Sequence, residues 1–455
     1  MTWKQPIIIL VLLIGAMAPS CYQPPAGSYE PGAEQIGWVV DQMNEQMMHD
    51  VTSPPLAARF FAYALLTGYE VMAQNSSTCF PLAGKLTAYP AIAKPTVVGY
   101  SPPLAALLAM LQTAGKLQPS GQELEARQQH LIDACRRRGM PEEVAAASRQ
   151  YAQQVSKAVL AYAKQDGYYR ISDRPRYTPT EGPGYWYPTP PGYFAPVEPY
   201  FSTLRPFVLD SPAQFKPQAP VAFNPKKGSA FYLLMQQVHQ VGLGLTPEQK
   251  QIASFWDCNP FALQDQGHLQ VGLKKMSPGA HWMKIAGVAC QQSHVSFERA
   301  MQIQTVLALT LTDAFIGCWQ EKYRSNRIRP ETAIRRYLDP QWQPLLQTPP
   351  FPEYLSGHSV ISSAAAEVLA HSLGVAYVYT DNTEKEFGLP PRHFTSFQQA
   401  AEEAAISRLY GGIHFLDAVR QGQVQGKKVG ALIVRRLLNP KPVTASPPAG
   451  HLLKQ

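Results

Sequence analysis

The amino-acid sequence predicts an all-α protein, on three observations. Apolar residues recur at three- and four-residue spacing on both sides of a proline-rich middle, as in "PLAARFFAYALLTGYEVM" and "PEEVAAASRQYAQQVSKAVLAYAKQ". No run of alternating apolar and polar residues marks a sheet, and no internal repeat is visible. With 455 residues, 45% hydrophobic and 16% charged, the chain is long and apolar enough for a sizeable core and too apolar for disorder. Length alone allows one large domain or two to three smaller ones.

Taken in order, the chain begins with an export signal. Lys4 gives a positive start, Ile7 to Leu13 is unbroken apolar, and small residues precede Cys21. The apolar run is short of the about 20 residues a membrane helix needs. Ala18-Pro19-Ser20-Cys21 resembles a lipoprotein cleavage box, with Ala where Leu is more usual. The expectation is a signal over 1–20, a lipidated Cys21 holding the protein to a membrane in the periplasm or on the outer surface, and a Pro/Gly-rich tether over 21–33. A helical part with an extended wrap follows over 34–225, then a catalytic part integrated with it over 226–440, and a tail over 441–455.

The wrap is set by composition. Thirteen of the 42 prolines fall between Pro175 and Pro225, among many aromatics. That density forbids regular helix, and the aromatics point to an ordered segment laid over helices rather than a loose linker. Later, "TVLALTLTDAFIGCW" is apolar but short and carries Asp313. Apart from Cys21 there are five cysteines, Cys79, Cys135, Cys258, Cys290 and Cys318. In an oxidising compartment one or two disulfides are expected, with buried structural thiols as the other reading. No CxxC or HxxxH spacing suggests a metal cage. The net charge of +8 is spread in short clusters such as Arg136-Arg137-Arg138, which excludes a nucleic-acid partner and leaves room for a small-anion site.

Three blocks carry chemistry. In "EKYRSNRIRP", Lys322 and Arg329 lie seven apart, which on one helix separates them by only about 20°. Pro330 sets the helix end near Arg329. In "EYLSGHSVISSAAAEVLAHSLG", Ser356, Gly357 and His358 stand at a predicted helix N-terminus, where free amides and the dipole favour an anion. Ser356 can cap the helix or donate to an anion, and His358 can exchange a proton near neutral pH. In "SRLYGGIHFLDAVRQG", Arg408 can pair with an oxyanion, Gly411-Gly412 breaks the helix, and Asp417 stands three residues after His414, where it could hold that imidazole's tautomer. The nucleophile elbow of serine hydrolases is absent. Three cations, a hydroxyl, a glycine amide and two histidines suit a trianionic tetrahedral group with two apical directions. Phosphoryl transfer and vanadate binding both fit that description.

Lys322-x6-Arg329-Pro330, Ser356-Gly357-His358 and Ser407-Arg408-x5-His414 resemble the three-part signature of type 2 phosphatidic acid phosphatases and vanadium-dependent haloperoxidases. "GYWYPTPPGYFAPVEPYFSTLRPFVL", "FWDCNP" and "DAFIGCWQEKYRSNRIRP" are similar to the soluble bacterial haloperoxidase-like branch. The resemblance implies helical bundles of that type. It implies that Lys322, Arg329, Ser356, Gly357 and Arg408 hold the oxygens of vanadate or phosphate. His414 would be the axial ligand to vanadate or, in a phosphatase, the nucleophile, with His358 as acid–base partner. The expected activity is oxidation of halide by hydrogen peroxide. Hydrolysis of a phosphate ester without a cofactor is the alternative, and anion binding without turnover is a third reading. Two departures stand out: Leu355 where the block usually has Pro, and Asp417 three rather than four residues after the last His. Trp186, Tyr187 and Trp282 are candidate pocket aromatics.

Overall fold

Helix starts follow local chemistry throughout the computed structural model, which describes residues 29–265, 270–272 and 275–439. The expected signal and Cys21 lie outside these residues. Prolines open α2 (Pro54–Ala73) and α3 (Pro102–Leu117) after α1 (Glu34–His49). In that first turn their missing N–H costs nothing. α4 (Gln122–Arg137) and α5 (Glu142–Ala163) follow, each with acidic residues in its first turn. After the proline-rich segment come α6 (Ala230–Leu243), α7 (Pro247–Phe255), α8 (Pro278–Gln292), α9 (Phe297–Ser325) and α10 (Pro330–Tyr337). α11 (Gly357–Leu373), α12 (Phe397–Tyr410) and α13 (Leu416–Ile433) complete the set. Ser or Thr side chains accept from first-turn amides at the starts of α3, α6, α7, α8, α9, α11 and α12. Among the described residues, strands are confined to two short antiparallel ladders, β1 (Leu263–Asp265) with β2 (Gln270–Gly272) and β3 (Tyr379–Asp381) with β4 (Arg392–Phe394). The all-α expectation holds.

One core runs from Ile36 in α1 to Leu437, so the N-terminal helices and the later ones share it. α9 is its axis, packed against α2, α8, α11 and α13. By length and hydropathy α9 could cross a membrane, but 94% of its most apolar window is buried in protein. Its Asp313 accepts from the N–H groups of Phe207, Val208 and Leu209 at 2.7, 2.7 and 2.9 Å. The buried acid is therefore an anchor for the proline-rich segment, whose backbone N–H groups have no ladder of their own. Earlier in that segment, Trp186 N–H donates to Asn326 O at 2.9 Å and Val197 N–H to Pro350 O at 3.1 Å. Tyr323 Oη donates to Val197 O at 2.7 Å. The segment is an ordered wrap, as its aromatics suggested.

α13 sits unusually close to α11. Gly422, Gly426 and Gly430 repeat every four residues on one face of α13. A Cβ at Gly426 would stand 2.2 Å from Val360 O, and one at Gly422 2.9 Å from Ser356 O. No side chain larger than hydrogen permits this approach, and it fixes the N-terminus of α11 against α13. The five described cysteines are all buried and free, so the disulfides expected from sequence are replaced by the buried-thiol reading.

Candidate active site

Four chain segments converge beside the N-terminus of α11. α9 delivers Trp319 and Lys322 on adjacent turns, then stops at Asn326, whose left-handed conformation (φ 47°) turns the chain out of the helix. Arg329 is thus not on the same helix as Lys322, as the seven-residue spacing suggested. It lies past the turn, in extended backbone, as the N-cap residue of α10. Ser356 caps α11, α12 carries Arg408 in its last turn, and the turn at Gly411-Gly412 (Gly412 φ 74°) returns the chain so that His414 precedes α13.

The charges here are buried without counter-charges. Lys322, Arg329 and Arg408 are each at most 1% exposed. Lys322 Nζ donates to the carbonyls of Pro352 (3.0 Å), Glu353 (3.2 Å) and Leu355. Arg329 donates to Phe351 O and Ile413 O, each at 2.9 Å, and Arg408 to Trp256 O at 2.6 Å. Among the described residues none of the three has a carboxylate within ion-pair distance. Burial pushes Lys322 down to about 7 and Arg329 to about 9, and lowers Arg408. Arg329 Nη2, Arg408 Nε and His358 Nε2 are buried polar atoms with no partner. An unpaired buried cation costs several kcal/mol, on the order of 3–5 where a partner is removed, so this arrangement calls for an anion.

His414 has a defined tautomer. Its Nδ1 lies 2.8 Å from Glu353 Oε1, an acceptor-only group, so Nδ1 carries the proton. Its Nε2 lies 3.1 Å from Arg329 Nη1, a donor-only group, so Nε2 presents its lone pair. Burial, then Arg329, Lys322 and Arg408, hold His414 well below the usual histidine range, keeping it neutral. Glu353 also accepts from Phe415 N–H (3.0 Å) and from Arg327 Nε (2.6 Å). Arg327 in turn holds Asp417 through two bonds of 2.6 and 2.8 Å. The orienting role expected for Asp417 therefore falls to Glu353, because Asp417, in the first turn of α13, is taken by Arg327.

Ser356 is both cap and donor. Its Oγ accepts from Ser359 N–H (3.3 Å) and Ser359 Oγ (2.8 Å), which leaves its own proton to give. The first amides of α11, at Gly357 and His358, have no partner within the helix. Leu355, in place of Pro, is fully buried, and the Tyr354–Leu355 peptide is cis. His358 is held well below the usual range by burial, then by Arg408 and His414. Gly357, His358, Arg408 and His414 line a cavity of about 30 Å³, walled otherwise by Phe261, Phe315, Trp319, Phe351 and several prolines. The candidate aromatics are elsewhere. Trp186 and Trp282 are buried in packing, with Trp282 Nε1 on Ser362 Oγ at 2.8 Å, and Tyr187 is exposed.

The site, set in a bundle around one buried axial helix, is that of an oxyanion-binding all-α enzyme class. Comparisons narrow it. The family model described as "VCPO second helical-bundle domain" matches residues 302–440. A solved structure of a bacterial vanadium-dependent iodoperoxidase is 40% identical, with TM-score 0.84, covering 90% of this chain and 97% of that one. A holo-type bacterial vanadium-dependent chloroperoxidase is 15% identical (TM-score 0.67; 90% and 98% covered) and an apo-type one 16% (0.63; 85% and 95%), which shows a shared fold. No curated protein matches. The chain belongs to the vanadium-dependent haloperoxidase family.

Proposed function

We propose that this protein is a vanadate-dependent haloperoxidase that oxidises halide with hydrogen peroxide. One observation carries the reading: three buried cations without an ion-pair partner among the described residues lie at a neutral, tautomer-locked His414, whose Nε2 faces Arg329 at 3.1 Å and whose charging burial and all three cations oppose. The residues fit vanadate. Lys322, Arg329 and Arg408, the Ser356 hydroxyl and the Gly357 amide would hold its oxygens, and His414 Nε2 would be its protein ligand. When bound, vanadate supplies a Lewis acid that activates peroxide toward halide.

The protein's own contribution is charge and proton control. Glu353 fixes the Nδ1 proton of His414, so its basic nitrogen faces the site. His358, neutral in the free protein, has an unpartnered Nε2 available to take and return a proton beside the anion. The narrow cavity and its aromatic and proline walls admit small ions and limit water, which strengthens each charge interaction.

The deciding assay follows triiodide formation from iodide and peroxide, with and without vanadate, beside hydrolysis of an aryl phosphate. Vanadate-dependent iodide oxidation is expected, abolished in His414→Ala. Hydrolysis inhibited by vanadate, with no halide oxidation, would establish the phosphatase alternative. Inactivity in both with anion binding intact would leave a binding protein. We also propose export and lipidation at Cys21, supported by the order of charged, apolar and small residues before it. Metabolic palmitate labelling that vanishes in Cys21→Ser checks this.

A further inference from the structure

One side chain in the wall of this cavity has no part in holding the anion. Cys258, after α7, lines it together with Asn259, Gly357, His358, Arg408 and His414. Its Sγ lies 3.4 Å from His281 Nδ1, on α8. The other nitrogen of that ring, Nε2, lies 2.8 Å from Asp381 Oδ2, at the end of β3. Cys258 is 3% exposed and His281 fully buried, and Trp256 stacks on the imidazole at 4.6 Å. On residues of the same wall, Asn259 Nδ2 and Arg408 Nε are buried without a partner.

The arrangement sets a thiol beside an imidazole in the cavity wall; burial holds the Cys258 thiol above its ordinary range, against the opposing pull of His281, so its proton must leave as it reacts. Asp381 accepts from Nε2–H, and Nδ1 faces both Sγ and Glu384 Oε1, each at 3.4 Å, so that the two acids stabilise the imidazolium formed when the thiol proton moves across. Burial opposes a charge on His281, but Asp381 and Cys258 outweigh it and lift its pKa well above the usual range. Burial holds all five described thiols up, Cys258 included, and Cys135 lines a separate cavity with His130, but none of the other four hydrogen-bonds to an imidazole: the partner of Cys79 is the carbonyl of Glu298. Cys258 alone among the described cysteines combines a base with access to a chemically active cavity.

The geometry points to Cys258 as a modification site, oxidised to the sulfenic acid by the hypohalous acid formed in the same cavity. This rests on the halide-oxidising function proposed above, which supplies the oxidant. The thiolate attacks the halogen: an S–X bond forms, the O–X bond breaks, and the departing hydroxide takes the proton held by His281 and leaves as water. Water then attacks sulfur: an S–O bond forms, the S–X bond breaks, and halide leaves with a proton. In sum, Cys–SH and HOX give Cys–SOH, X⁻ and H⁺, with sulfur oxidised by two electrons and the halogen reduced by two. The acid then stands against Arg408's wall of the site, so turnover would limit itself in proportion to escaped oxidant.

The test uses the full-length protein with vanadate, peroxide and iodide, with triiodide followed in the same sample. After removal of peroxide by catalase the protein is treated with dimedone, unfolded, alkylated and mapped by peptide mass. The expected result is a dimedone adduct on Cys258 that needs iodide, with the other four thiols alkylated, and slower loss of activity per turnover in Cys258→Ala. Triiodide formation with Cys258 still a free thiol overturns the proposal, as does equal labelling by peroxide alone. Failure to form triiodide counts against the proposed function instead. One equivalent of separately prepared hypoiodous acid then decides the thiol: oxidation of Cys258 ahead of the other four upholds it, and no preference overturns it. One competing use of the same residues is also settled. Cys258, His281 and Glu384 have ligand atoms within 4.8 Å of one another, and a stoichiometric divalent metal found by elemental analysis would make Cys258 a ligand and overturn the proposal.

Discussion

Two buried arginines in this chain have opposite surroundings. Arg59, on α2, donates to Asp166 at 2.6 Å, and that acid also accepts from Tyr63 Oη and Tyr168 N–H. The guanidinium also stacks over the rings of Tyr63 and Tyr168. Arg329 is equally buried and also lies over a ring, that of Phe351, but its hydrogen bonds go to carbonyls and a histidine, no described carboxylate is within ion-pair distance, and one terminal nitrogen is bare. Burial opposes both charges, yet Asp166 raises Arg59 above its ordinary pKa, whereas Arg329 falls to about 9. Burial of charge therefore does not distinguish structure from function, but the presence of a counter-charge does. The matched arginine stabilises the fold, and the unmatched one is destabilising unless, as proposed above, an anion joins it.

The sharpest way to break this contrast is to remove charge on each side. Arg329→Gln should lower vanadate-dependent turnover by about a hundredfold to a thousandfold, as loss of a preorganised anion donor does. Its thermal stability should be unchanged or higher. Asp166→Asn should do the reverse, lowering stability by roughly 3–5 kcal/mol through a stranded Arg59. A denaturant titration of both variants measures this, and a large stability loss in Arg329→Gln would contradict the contrast. Next in size is Glu353→Gln, which should cost about 10- to 100-fold in vanadate affinity through the His414 tautomer. Asp417→Asn, one step further along the same chain of bonds, should cost less than Glu353→Gln. Equal losses would mean that the acids act as a unit.

The smallest effect is titration. Lys322 has a pKa of about 7 in the free site, so it is charged below that pH and increasingly neutral above it. Because an anion binds the charged form, affinity should be greatest below pH 7. It should fall as pH rises, by at most about tenfold per unit. Tungstate is the better probe, since its own charge is constant there. Affinity that is flat from pH 6 to 9 would show that Lys322 stays charged.

Much of this was legible in the sequence for one reason: helices and their caps are local. The three-block spacing placed Lys322, Arg329, Ser356, Gly357, Arg408 and His414 at one site, even though the reading of Lys322 and Arg329 on a single helix was wrong. Glu353 and Arg327 were missed because their partners are distant in sequence. Glu353 meets His414 across 61 positions and Arg327 meets Asp417 across 90. A signal existed in Glu353, a lone acid in the apolar, proline-rich "TPPFPEYL". Asp417 was favoured over it because nearness along the chain was the only distance available. Two of the wall aromatics were hidden likewise: Phe261 and Phe351 reach the cavity from loops, whereas Phe315 and Trp319, two turns and one turn before Lys322 on α9, had readable positions.

The wrap over α9 has a kinetic consequence. Asp313 gathers Phe207, Val208 and Leu209 across about a hundred residues, and Val197 reaches the carbonyl of Pro350 beside the site. Contacts of such sequence separation form slowly, whereas helices form from neighbours. On refolding, helicity should return first and the capacity to bind an oxyanion later, so that anion binding reports the last stage of assembly. A stopped-flow comparison of circular dichroism with anion binding would show the lag, and simultaneous recovery would show that the wrap docks as early as the helices themselves.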